Sequence, residues 1–202
     1  MCMGSNCAAT EITQQFKLYK GRSHFDWGVT TPESLKNFFE YLLQNGREKT
    51  KEAFLNNINI FGTNYPHIND VLGPMGPNYE ENMKKVERRL ERFLDVVEGK
   101  NEDFSLFVYV SPYEYITTPS DVNDMISVSR ILRKYRHNSD DNYRIAYVHM
   151  GNCLDPIRLC KENVDELSAP LVFGDKYYVY PVCNIIREKY GLEMGEVRGK
   201  WV

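Results

Sequence analysis

The chain has 202 residues, 42% hydrophobic and 26% charged, with a formal net charge of −3. That is the composition of an ordinary globular protein with enough apolar mass for one sizeable core. It lacks the basic surplus of a general nucleic-acid binder and any apolar run long enough to cross a membrane.

The five cysteines are an odd number, which disfavours a complete disulfide framework. Cys2-x4-Cys7, Cys153-x6-Cys160 and Cys183 do not give the close pairs of a zinc site, and His149-x3-Cys153 supplies two ligands at most. No metal is expected. The first residues lack the basic, apolar and small-residue order of a secretory signal. Reduced thiols in a cytoplasmic protein are therefore the expectation.

The first element is organised by Met3-Gly4-Ser5-Asn6-Cys7-Ala8-Ala9-Thr10. Ala8, Ala9, Ile12 and Phe16 recur at helical spacing, and Ser5 and Asn6 are good N-cap residues. Cys7 thus falls in the first helical turn. Unpaired backbone N–H groups and the positive end of the helix dipole favour a thiolate there. The same N–H groups around Ser5 and Asn6 can hold an oxyanion. Cys7 also fits a plainer role, a small buried residue at a tight turn. Only Met1-Cys2-Met3 precedes the turn, which is short for a first strand. Lys20-Gly21-Arg22 closes the helix, and His24-Phe25-Asp26-Trp27-Gly28-Val29 reads as a short strand or loop.

Thr31-Pro32-Glu33 opens a second helix with a cap, a first-turn proline and an acid. Its apolar stripe is Leu35, Phe38, Phe39, Leu42 and Leu43, and Gly46 stops it. Phe54-Leu55 and Asn57–Phe61 resemble strand fragments, the second by its alternation. Gly62 to Pro77 holds three prolines and three glycines. A loop of that length in a compact domain is commonly functional, and it carries His67. Asn78 caps a helix with Met83, Val86, Leu90, Phe93, Leu94 and Val97 on its apolar face. Arg89 lies between Val86 and Phe93, at the border of that face.

Phe104–Val110 is a buried-strand signal. Pro119-Ser120-Asp121 opens a helix with Val122, Met125, Ile126, Ser129 and Leu132 inward. Tyr143–Val148 is a second strand, ending at His149-Met150-Gly151-Asn152. His137 lies in a polar loop and reads as solvent-exposed. The last 50 residues are less regular. Leu171–Phe173 and Tyr177–Tyr180 look strand-like, Asn184–Tyr190 looks helical, and residues 195–202 read as a tail. Alternating strands and helices predict a single α/β domain over residues 1–194, its sheet mostly parallel and flanked by helices. Sites in such sheets lie at the carboxyl ends of the strands.

Gly4-Ser5-Asn6-Cys7, then Phe25-Asp26-Trp27, then Tyr79-Glu80 with Arg88-Arg89-Leu90-Glu91-Arg92-Phe93, and the apolar strand Leu106–Val110, together resemble an uncharacterised family of papain-like cysteine peptidases. The resemblance covers about residues 3–150. It departs at His24, where the family has proline, and at His67, where the family's F-x-H-D motif is matched by Tyr65-Pro66-His67-Ile68 and the nearest acid is Asp70. The resemblance implies a cysteine-dependent hydrolase with Cys7 as nucleophile, His67 as base and a peptide or other acyl substrate, without a cofactor. It also raises a papain-like α+β fold as the alternative architecture.

Asp26, the polar centre of an aromatic motif, is the candidate for orienting the base. Trp27 and Arg89 are candidate substrate contacts. His24, nearest to Cys7 in sequence, and His149, at the end of a strand, are rival bases. Two other readings stay open. The turn also resembles cysteine variants of SGNH-like hydrolases and acyltransferases, although the Asp-x-x-His that those enzymes carry near the C-terminus is missing. A non-catalytic module binding an anion or a carbohydrate would use Arg88, Arg89, Arg92 and the 62–77 loop.

Overall fold

The computed structural model describes residues 1–4, 7–16, 24–25, 29–64, 79–100, 104–111, 118–136, 142–150, 157–169 and 179–193. The chain runs α1 (Cys7–Gln14), α2 (Pro32–Asn56), α3 (Tyr79–Val97), β1 (Ser105–Val110), α4 (Pro119–Tyr135), β2 (Tyr143–Met150), β3 (Ile157–Lys161), β4 (Val164–Ala169) and α5 (Val179–Tyr190). The sheet order is β1-β2-β4-β3. β1, β2 and β4 are parallel, and β3 is an antiparallel edge strand. Beside β1 lies a stub of one more parallel strand. Cys2 bridges Val108, the Met3 N–H reaches the Val108 carbonyl at 2.9 Å, and the Val108 N–H reaches the Met1 carbonyl at 2.9 Å.

Alternation along the strands divides the core in two. Met3, Phe107, Tyr109, Tyr143, Ile145, Tyr147 and Val164 face a large aromatic cluster with α2, α3 and α4. Cys2, Val108, Val110, Ala146, Val148, Leu167 and Ala169 face α1 and α5 through Ala9, Ile12, Phe16, Val182, Cys183 and Ile186. The expected α/β architecture, a mostly parallel sheet flanked by helices, is what the chain adopts.

Several local expectations are corrected. The chain turns at Gly46 (φ 76°, ψ 175°), as expected, but helix resumes to Asn56. Phe54-Leu55 is therefore helical, because Arg47 to Ala53 are mostly helix formers. An ion-pair network holds this half of α2 against α3. Arg47 reaches Glu91, Asp95 at 2.7 Å and Glu98 at 2.8 Å, and Lys51 reaches Glu91 at 2.5 Å. Asn57–Phe61 forms turns, not a strand. The Asn57 side chain accepts from the Asn59 N–H, and the Ile60 N–H reaches the Asn57 carbonyl. Asparagine turn chemistry overrides the alternation here. Leu43 is exposed, and α1 ends before Phe16, in a tight turn.

At the other end, Val179-Tyr180 belongs to α5, not to a strand, so this helix begins before Asn184. The expected strand at Leu171–Phe173, the cap Asn78 and residues 195–202 lie outside the described residues. Hairpin β3–β4 is an addition. Its turn residues Glu162 (φ 50°) and Asn163 (φ 64°) are both left-handed, as a two-residue type I′ turn demands. Arg130 pairs with the Glu162 carboxylate at 2.5 and 2.6 Å and anchors the turn to α4.

The amino-terminal edge of the sheet is closed by buried Arg136. Its Nε donates to the Val97 carbonyl at 3.1 Å. Nη2 donates to the Val96 carbonyl and Ser105 Oγ, both at 2.8 Å. Nη1 donates to the Asn142 carbonyl at 3.0 Å and to Asn142 Oδ1 at 3.1 Å. All five guanidinium N–H bonds are engaged, and the positive charge meets the carbonyl end of α3. Arg136→Met would strand these acceptors in the core, and we expect it to cost about 3 kcal/mol in urea unfolding. Lys36→Met, which breaks the more exposed pair with Asp124 at 2.7 Å, should cost less than about 1 kcal/mol in the same assay.

Candidate functional site

The carboxyl ends of the stub strand, β1, β2 and β4 form one edge. Cys7 is the first residue of α1, and this helix follows the stub after the Gly4 turn. Gly4 has φ +95°, and a Cβ there would lie 2.3 Å from Thr30 Oγ1 and 3.4 Å from Phe25 Cβ. A side chain is therefore barred twice, by backbone strain and by space. The close approach brings the residues that flank the second motif up to the turn. Gly4 packs on Thr30, and the Cys2 Sγ lies 3.9 Å from the Phe25 carbonyl. Tyr109, near the carboxyl end of β1, donates its hydroxyl to the Thr30 carbonyl at 2.9 Å.

The long loop is anchored at the same corner. Val29 and Asn64 form an antiparallel bridge, with N–H to carbonyl distances of 2.7 and 2.9 Å. The stretches holding Asp26-Trp27 and His67 thus leave from beside the Gly4 turn. Ser5, Asn6, Asp26, Trp27 and His67 themselves lie outside the described residues, and Cys7 is described by its backbone.

His24 is buried in an aromatic cage. Its ring centroid lies 4.3 Å from Phe54, 4.6 Å from Phe25, 5.9 Å from Phe38 and 6.2 Å from Phe93. Burial, and after it the charge of Arg89, lowers its pKa to about 3. Such an imidazole is a poor proton acceptor at neutral pH. Arg89 is half-buried on α3 and acts on His24 through its charge, a neighbourhood that its border position foreshadowed.

His149 occupies a different part of the edge. It is the penultimate residue of β2, two strand spacings, or about 10 Å, from the stub. Its Nε2 faces away from the stub, 2.7 Å from Glu166 Oε1 on β4. In register, Tyr147 lies beside Glu166 and His149 beside Ser168, so all four side chains share the face that carries the aromatic core. The Tyr147 and His149 rings are 4.5 Å apart, and the Tyr109 and Tyr147 rings 5.3 Å. Glu166 and Ser168 escape the sequence reading. Val-Asp-Glu-Leu-Ser-Ala resembles a polar loop, and the one available signal was the hairpin formed with Ile157–Lys161.

Among the described residues, no group of three or more His, Cys, Asp or Glu is placed to hold a metal ion, and no helix is long and apolar enough to cross a membrane. Cys2 and Cys183 are buried thiols outside any disulfide, and burial pushes the Cys183 thiol up to about 12. Compared with protein-family models, curated proteins and solved structures, the chain matches none.

The cage around His24 has a measurable consequence. The folded protein keeps this imidazole neutral down to about pH 3, whereas the unfolded chain protonates it near 6.5. Its contribution to stability is therefore whole above pH 6.5 and is lost progressively below it. Urea unfolding at pH 7 and pH 5 should show about 2 kcal/mol less stability at the lower pH from this group. His24→Leu should abolish that part of the difference.

Proposed function

We propose that the protein is a cysteine-dependent hydrolase or acyl transferase, with Cys7 as the nucleophile. One observation supports this above the others. The Gly4 turn that delivers Cys7 to the start of α1 is packed on Thr30, and Thr30 sits between the anchors of the Asp26-Trp27 and His67 segments. The motifs that resemble the papain-like peptidase family are far apart in the chain, and their flanking residues meet at one corner. A purely structural cysteine would not require that convergence.

In this reading the Cys7 thiolate attacks the carbonyl carbon of an acyl substrate. His67 takes the thiol proton and returns it to the leaving group, with Asp26 orienting the imidazole. Backbone N–H groups at the start of α1, around Asn6 and Cys7, receive the oxyanion. Water, or a second acceptor, then releases the acyl group from sulfur. His67 is preferred over the rival bases because His24 is caged among phenylalanines and His149 is turned toward β4. A mostly parallel sheet with helices on both faces also favours the layout of SGNH-like hydrolases and acyltransferases as the setting for the same cysteine chemistry. No step calls for a cofactor.

Alkylation by iodoacetamide, with the labelled peptide identified by mass spectrometry, tests the reading. The Cys7 rate should titrate well below the ordinary thiol value of about 8.5. His67→Ala should move that midpoint back toward the ordinary value, and Cys7→Ala should remove the fast label. A wild-type Cys7 that titrates at or above the ordinary thiol value would instead favour a binding module with a structural cysteine.

A further inference from the structure

The turn that leads to Cys7 is gripped from two sides, and one grip reaches back into the sheet. We propose that Thr30 and Tyr109 are positioning residues for Cys7. Tyr109 holds Thr30, and Thr30 fixes the Gly4 turn from which α1 starts. The consequence for catalysis rests on the reading of Cys7 as the nucleophile. The grip itself stands on its own geometry.

On the inner side, the Gly4 N–H donates to Cys2 Sγ at 3.3 Å. The outer side is Thr30. Val29 and Asn64 exchange both backbone hydrogen bonds, so Thr30 and Thr63 oppose each other on the other face of the bridge. Val29 is 41% exposed and Thr30 1%, and this alternation sends the Thr30 side chain inward, onto Gly4. Its Oγ1 lies 2.3 Å, and its Cβ 3.1 Å, from where a Cβ of residue 4 would stand. The hydroxyl has no hydrogen-bond partner among the described residues. It therefore acts on Gly4 by the space it fills, and its burial puts it out of reach of a substrate.

Thr30 is itself held on both sides. The next residue, Thr31, caps α2, its Oγ1 accepting from the Ser34 N–H at 3.1 Å. Tyr109 donates its hydroxyl to the Thr30 carbonyl at 2.9 Å, a buried bond between residues 79 apart in the chain. Phe107, two residues earlier on the same face of β1, fills the same core without a hydroxyl. A buried hydroxyl is favourable only when it is paired, and the bond to Thr30 is one that phenylalanine at position 109 could not make.

Cys7 stands three residues beyond Gly4 and opens α1. The N–H groups and dipole of a helix end favour a thiolate only within the first turn, so the setting of that turn decides how far they act on Cys7. Glycine has the widest choice of backbone conformations. A turn built on it needs an outside contact to hold one of them, and small displacements of a reacting group are costly.

Alkylation of Cys7 by iodoacetamide across pH, with hydrogen exchange of the peptide covering residues 4–10, tests this on the full-length protein. Thr30→Ala empties the space against Gly4. It should raise the Cys7 midpoint by about 0.5–1 pH unit, the scale of a charge at a helix end, and speed exchange in that peptide several-fold. Thr30→Val keeps an atom in the place of Oγ1 and should behave as the wild type. Tyr109→Phe should move both readouts the same way by less. Tyr143→Phe loses a comparable buried bond, to the Ser129 carbonyl at 2.8 Å, at the opposite edge of the sheet. It should lower stability without moving either readout. Should Thr30→Ala not fold, Tyr109→Phe against Tyr143→Phe still decides. The proposal is overturned by a low wild-type midpoint that neither Thr30→Ala nor Tyr109→Phe moves, which leaves the nucleophile standing. It is overturned as well if Thr30→Val shifts as far as Thr30→Ala, or Tyr143→Phe as far as Tyr109→Phe. Faster exchange in Thr30→Ala and Tyr109→Phe, with a wild-type Cys7 that titrates as an ordinary thiol, leaves the grip standing and removes the nucleophile.

Discussion

The buried guanidinium of Arg136 is the interaction on which the layered structure depends. It ties the last carbonyls of α3, the start of β1 and the residue before β2 into one hydrogen-bonded knot. The rings of Phe107 and Tyr143 lie beneath it at 6.0 and 5.6 Å. A charge can be held inside a core when every donor is matched and the surroundings are polarised in its favour. Here the carbonyl end of α3 provides that polarisation. The amino-terminal edge of the sheet is thus fastened by satisfied bonds.

The opposite edge is built differently. Thr30 Oγ1, Thr63 Oγ1 and Ser168 Oγ are buried there without hydrogen-bond partners among the described residues. Beside them lie a strained glycine turn and a carboxylate set against an imidazole. The first edge is closed by a fully bonded guanidinium, and the second keeps buried hydroxyls without partners among the described residues. In open α/β sheets the carboxyl ends of the strands are where ligands bind.

Between the edges, aromatic packing governs which chemistry is open. Phe25, Phe38 and Phe93 meet edge-to-face at 4.9–5.9 Å and hold His24 inside their cluster. The histidine nearest Cys7 in sequence is thereby spent on packing. The same cluster fixes Phe25 against Gly4 and so sets where the Phe25-Asp26-Trp27 motif begins. The motif's aromatic residues need not touch substrate to matter, since Phe25 already helps to shape the turn that carries the thiol.

The sequence by itself determined α2 up to Gly46, the helices α3 and α4, strands β1 and β2, and the α/β class. In those stretches apolar periodicity and start signals such as Thr31-Pro32 and Pro119-Ser120-Asp121 act over a few neighbouring residues. It also marked Cys7 as the opening of a helix, because Ser5 and Asn6 are good N-cap residues ahead of an apolar pattern at helical spacing. Tertiary structure alone decided the rest. Asp165 and Glu166 look like loop residues until Tyr190, at 2.8 Å, and His149 supply partners that let a strand bury them. The sequence left His24 and His149 as rivals for one role. Only the fold could separate them, because whether an imidazole sits among phenylalanines or against a carboxylate is set by residues far away in the chain.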